Sequence, residues 1–190
     1  MNKTLQSAIQ STLKFVLLGT TVAFSQAVFA HEPGAHVHGV ATLEVALDAQ
    51  TLTIDLSTPL DNLIGFEHLP QNDRQKMLVK AMSDRLHRGD RLFIPTAAAS
   101  CTLQNTVLNS LVLDNPKNAK PQAAADGEEA GHADLDGEFV FTCTRPENLH
   151  DIEVRLFSPF PNLHILNVAV ATAKGQTAAK LTADNRKVIW

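Results

Sequence analysis

Two stretches early in the chain alternate cleanly between apolar and polar positions. Leu43, Val45 and Leu47 interleave with Thr42, Glu44 and Ala46, and Leu52, Ile54 and Leu56 interleave with Thr51, Thr53 and Asp55. A period of two marks a half-buried strand. Asp48-Ala49-Gln50 between the two stretches is short enough for a hairpin loop. Further on the period changes. Asn72 can cap a helix with Gln75 three places on, Asp73 suits the first turn, and Leu78, Met82 and Leu86 fall on one face. His87-Arg88-Gly89 then supplies a stop. Strands are predicted again at Leu103 to Leu113, Glu138 to Thr144, Ile152 to Phe157, His164 to Thr172 and Thr177 to Thr182. Turn signals at Pro161-Asn162 and Lys174-Gly175 favour antiparallel neighbours.

The expected fold is therefore mainly β: an antiparallel β-sandwich or open barrel of about seven strands, with one principal α-helix over an end. Pro59 to His68 has no clean period and reads as an ordered loop. Asp114 to Gly137 differs in kind. It combines Asn115-Pro116, Lys120-Pro121 and Ala123 to Ala125 with Asp126, Glu128, Glu129, Asp134 and Asp136 around His132. That composition predicts a flexible acidic surface loop, either a solvated connection between two strands or a weak metal-gathering arm.

The first thirty residues change the picture of where the domain works. Lys3 and Lys14 give a basic, acid-free start, Phe15 to Phe24 form a short apolar core, and Val28-Phe29-Ala30 places small residues at a cleavage site. These are the parts of a secretory signal peptide over residues 1–30, cut after Ala30, with a cut after Ala27 also chemically acceptable. The apolar run is too short, and too broken by Gly19, Thr20 and Thr21, for the span of about 18 residues that a membrane helix needs. No membrane insertion is expected after cleavage, and residues 31–190 read as a single exported domain.

The whole chain carries a net charge of −4, and losing two lysines takes the mature domain to −6, which disfavours nucleic acid as a partner. All eight histidines lie in the mature part. Cys101 and Cys143 are the two cysteines. In an oxidising compartment a structural disulfide between them is the default reading, and a pair of thiolate metal ligands is the alternative.

Histidine carries the candidate chemistry. His36-Val37-His38 would place two imidazoles on one face of a strand, toward one ion, and Glu67-His68 offers a second donor pair from a distant loop. Tetrahedral zinc needs three or four such donors. A Zn²⁺ site bridging the first strand and that loop is the expectation, with His36, His38, Glu67, His68 and His31 as candidate ligands. The competing assignments are surface histidines at His36 and His38, a frayed terminus at His31, a loop-bracing carboxylate at Glu67 and a packed core imidazole at His68. A cut after Ala30 would give His31 both an amino group and an imidazole, so Cu²⁺ chemistry at the amino terminus is a second possibility. A metal-free interaction module is a third. His87, His150 and His164 receive no site role. No G-x-S-x-G elbow, H-E-x-x-H helix or phosphate-binding glycine loop is present, so no enzymatic activity is expected.

The stretches Gly34-Ala35-His36-Val37-His38-Gly39-Val40-Ala41 and Asn62-Leu63-Ile64-Gly65-Phe66-Glu67-His68, with Phe139-Val140-Phe141-Thr142-Cys143, Val154 to Phe157, Gly175 to Ala179 and Trp190, resemble the ZrgA-type periplasmic zinc-binding proteins. The resemblance spans nearly all of the mature chain. It implies an exported accessory protein of zinc acquisition, working with an ABC-type importer, with His36, His38, Glu67 and His68 at the family's most recognisable polar positions. One departure stands out. Members typically carry a histidine-rich stretch in the long loop before the F-x-F-T-C strand, and here that loop holds only His132 among acidic residues.

Overall fold

A computed structural model describes residues 37–113 and 133–190, all within one compact unit, Ala35–Trp190. The alternating segments form the hairpin they predict: β1 (Val40–Asp48) and β2 (Thr51–Pro59) pair antiparallel with Leu43 opposite Leu56 and Val45 opposite Ile54. Asp48 faces Thr51 directly, so the loop is Ala49-Gln50, with Ala49 in the left-handed region at φ 50°.

β4 (Cys101–Asn109), β5 (Asp134–Cys143), β7 (Ile165–Thr172) and β8 (Gly175–Leu181) extend this hairpin into a six-stranded sheet, ordered β4-β5-β2-β1-β7-β8. Three short strands, β3 (Phe93–Pro95), β6 (Asp151–Val154) and β9 (Lys187–Ile189), make a second, antiparallel sheet. The result is sandwich-like and not a closed barrel, with β4 and β8 as free edges of the large sheet.

One face of the large sheet is the core. Leu43, Val45, Leu52, Ile54, Leu56, Leu135, Phe139, Phe141, Leu166, Val168 and Val170 are buried in one cluster with Phe93, Ile152, Val154 and Val188 of the small sheet. Phe93 and Phe139 meet across the two sheets with ring centroids 4.8 Å apart. A side chain at Gly89 would place its Cβ 2.6 Å from the Phe139 ring, so the chain passes close enough there to admit glycine alone. A bulge between Leu103 and Asn105 shifts the pleat of β4, leaving Leu103, Thr106 and Leu108 all half-buried despite their mixed spacing.

The principal helix is α2 (Asp73–Leu86), after a short α1 (Asp61–Ile64) and before a one-turn α3 (Gly89–Leu92). Asn72 caps α2 as expected, its side chain accepting from the Gln75 amide at 3.0 Å. Gln75 reaches back to the Gln71 amide at 2.7 Å. The buried face is Val79, Met82 and Leu86; Leu78 is 40% exposed. Leu78 and Val79 lie about 100° apart on either side of Met82 and Leu86, so each fits a helical stripe with that pair, which is why spacing alone misplaced one member.

Four further expectations need correction. There are nine strands among the described residues, because β3 and β9 have three residues each and cannot display a period. β1 and β7 run parallel, Val40 beside Ile165 through Leu47 beside Thr172. Pro161-Asn162 closes no hairpin, since it carries the chain from the small sheet to the large one. Finally, Asp134 to Gly137, assigned above to the acidic loop, belongs to β5, with Leu135 fully buried. Residues 114–132, with His132, lie outside the described residues.

Cys101 and Cys143 sit directly opposite each other on β4 and β5 and form a disulfide. Both sulfurs are thereby removed as metal ligands.

Candidate metal centre

Asn62 builds the corner in which the candidate donors meet. It is the second residue of α1 and is fully buried. Its Oδ1 accepts from the Gly39 amide at 2.6 Å, and its Nδ2 donates to the Val40 carbonyl at 2.9 Å and to Thr58 Oγ1 at 3.0 Å. A buried amide side chain with these groups satisfied laces the approach to β1 onto the 61–68 segment. Gly39 completes the join. It sits at φ 83°, and a Cβ there would lie 2.8 Å from Cδ2 of His164. The Gly39 carbonyl accepts from the amides of both His164 and Ile165 at 2.8 Å. On the other side, Gly65 ends α1 in the left-handed conformation at φ 79°, turning the chain so that Glu67 comes back toward β1.

The outcome is an imidazole between two carboxylates. His38 Nε2 lies 3.1 Å from Glu67 Oε1, and His38 Nδ1 lies 3.8 Å from Asp61 Oδ2. The three side chains differ in access: His38 is 58% exposed, Asp61 29% and Glu67 8%. A carboxylate that buried is costly unless a cation or donors stand beside it. Two ligands of a tetrahedral zinc ion, each about 2.0–2.1 Å from the metal, stand about 3.3 Å apart. The 3.1 Å separation of His38 Nε2 and Glu67 Oε1 therefore matches the edge of such a coordination sphere.

The other candidates fall in different places. His38 is in a turn closed by Val40 N–H donating to the Val37 carbonyl at 3.0 Å, and β1 begins after it. The strand geometry invoked for the H-x-H pair therefore does not hold at His38. His36 and His31 lie outside the described residues. His68 is exposed, its ring 5.0 Å from that of Phe66, and its Nδ1 is 2.9 Å from the Leu69 carbonyl. A carbonyl only accepts, so Nδ1 carries the proton and the Nε2 lone pair of a neutral His68 is available to a ligand. His68 is not gathered with His38 and Glu67: among the described residues no group of three or more His, Cys, Asp or Glu is close enough to hold a metal. His87 closes the end of α2, its Nδ1 2.8 Å from the Ser83 carbonyl. His150 pairs with Asp151 at 2.9 Å.

The sequence reading missed Asp61. Its signal was faint but present: a carboxylate opening the same segment that Glu67-His68 closes.

The sequence model described as ZrgA family zinc uptake protein matches residues 35–190. The chain belongs to the ZrgA family. No curated protein matches it as a relative. Membership of a zinc uptake family assigns this ZrgA member a role in zinc uptake, and the matched span contains the whole corner formed by His38, Asp61, Asn62 and Glu67. Among the described residues of this ZrgA chain, no helix is long and apolar enough to cross a membrane.

Proposed function

We propose that residues 31–190, released from the signal peptide over residues 1–30, form a periplasmic zinc-binding protein that captures Zn²⁺ or relays it to an ABC-type importer. The observation that carries this reading is the 3.1 Å approach of His38 Nε2 to the buried Glu67 carboxylate, in a chain of a zinc uptake family. His38 and Glu67 supply two donors of the mixed nitrogen and oxygen type that zinc accepts. His36, two residues before His38, and His68, next to Glu67, are the nearest further donors in sequence, and His31 is the next. The ion is cargo in this reading, and the protein holds it without transforming it.

An exposed imidazole beside a buried carboxylate suits transfer. His38 stands where an arriving ion can be met and a receiving protein can reach it, while Glu67 supplies fixed negative charge behind it. The test is thermal unfolding of the tag-free chain beginning at His31, with and without zinc. Zinc at a hundred times its dissociation constant should stabilise the native state by about 2.7 kcal/mol. In a domain of this size that is a rise of roughly 5–10 °C in Tm. No change in Tm with excess zinc would sink the proposal and favour a metal-free interaction module.

A further inference from the structure

We infer that Asp61 is the positioning residue of the zinc site: it holds the Nδ1 proton of His38 and so turns the Nε2 lone pair toward the ion shared with Glu67. The inference rests on the zinc-binding reading above and specifies which ring nitrogen is the ligand and what selects it. An imidazole offers one lone pair to a metal only when the other nitrogen keeps its proton, and an acceptor for that proton fixes both tautomer and ring orientation. His38 has a different carboxylate beside each nitrogen, Glu67 at Nε2 and Asp61 at Nδ1. The closer one is the co-ligand, and the farther one is the acceptor.

Three features support that division. Asp61 opens α1 and Glu67 follows the Gly65 turn that ends it, so one short segment presents both carboxylates to one ring. The main-chain carbonyl of Asp61 accepts from Gly65 N–H at 2.9 Å and from Asn162 Nδ2 at 3.1 Å, and the next residue is the buried Asn62 clamp, so the Asp61 backbone is fixed. Its carboxylate takes no part in that fixing. The 3.8 Å separation is beyond a hydrogen bond, and His38 is exposed enough for its ring to turn. When zinc binds Nε2 the ring is fixed, and Nδ1–H should close on Asp61 to about 2.8 Å.

The experiment is zinc titration of the chain beginning at His31 and of its Asp61→Ala, Asp61→Asn and Glu67→Gln variants, together with ¹⁵N shifts of the His38 ring in the zinc-loaded protein. Asp61→Ala should weaken zinc binding about 10–100-fold. Asp61→Asn, which keeps an acceptor oxygen but loses the charge, should fall between Asp61→Ala and the unchanged protein. Neither should shift the metal-free Tm, because the fold uses the Asp61 backbone. The ring shifts should show Nε2 bound to metal and Nδ1 protonated. If Glu67→Gln weakens zinc binding and Asp61→Ala leaves it within twofold, or if Nδ1 is the metal-bound nitrogen, the inference is overturned and the zinc-binding reading survives. Absence of zinc binding in the unaltered chain would overturn both.

Discussion

Among the described residues, carboxylates converge both at one corner and on one sheet face, with opposite consequences. At the corner before β1, Asp61 and Glu67 enclose the imidazole of His38. On the solvent face of the large sheet, Glu44, Asp55 and Glu138 stand directly opposite one another on β1, β2 and β5. Among the described residues no cationic group pairs with Asp55 between them. Burial, then Glu138, then Glu44 raise the Asp55 carboxyl above its ordinary value. Like charges directly opposed across a sheet repel, at a cost of about 0.2–1 kcal/mol per pair. The corner thus has negative charge arranged around a nitrogen donor on a rigid frame, and the row on the sheet has negative charge alone. Acidity by itself therefore does not mark the corner out as the proposed metal centre; an imidazole held among the carboxylates does.

Separating the two regions by mutation gives predictions that run from large effects to small ones. Replacing both Cys101 and Cys143 by alanine should lower stability by about 4 kcal/mol, the chain-entropy estimate for a cross-link spanning 42 residues. Urea unfolding would measure it. Zinc affinity should stay within twofold, because the corner is made by the approach to β1 and the 61–67 segment; a parallel loss of affinity would show that the disulfide and the corner are coupled. Asn62→Ala should cost about 3 kcal/mol, since it leaves the Gly39 N–H and the Val40 carbonyl short of their buried partner. It should also weaken zinc binding, because the lacing between His38 and Glu67 is cut. A variant that lost stability but kept its zinc affinity would remove Asn62 from the account of the site.

The smallest effect belongs to the acidic row. A carboxyl whose value is raised in the folded state disfavours folding when ionised. The penalty is present above the raised value, fades as pH falls through it, and is gone below the ordinary value of 3.8. Asp55→Asn should therefore stabilise the protein at pH 7 by up to about 1 kcal/mol. It should give no gain below pH 3.8 and leave zinc affinity unchanged. Chemical denaturation across that pH range would show the gain vanish, and a loss of stability at pH 7 would contradict the repulsion argument.

The parts of this molecule that could be read in the sequence are those set by local rules. The β1–β2 hairpin follows from alternation, the Asn72 cap from spacing, and the Cys101–Cys143 bond from the pair of cysteines together with the expectation of export. Long-range choices left no local trace. The parallel pairing of β1 with β7 depends on the return of the chain from the small sheet, and Phe93 and Val188 sit in strands too short to alternate. The candidate site divides along the same line. Glu67 and His38 stood out because their residue types bind metals. Asp61 did not, because its relation to His38 is created by the Gly65 turn and the Asn62 clamp, across more than twenty residues of chain. The His36–His38 pair was read as a strand, whereas the Val37–Val40 turn places His38 before it.

The most direct test of the central claim is calorimetric titration of zinc into the tag-free chain beginning at His31, side by side with Glu67→Gln. Glutamine keeps the shape of the side chain and removes the charge that faces His38 Nε2. The account predicts one zinc ion bound by the unaltered chain and an affinity at least tenfold lower, about 1.4 kcal/mol, in the variant. Equal affinities for the two proteins would contradict it.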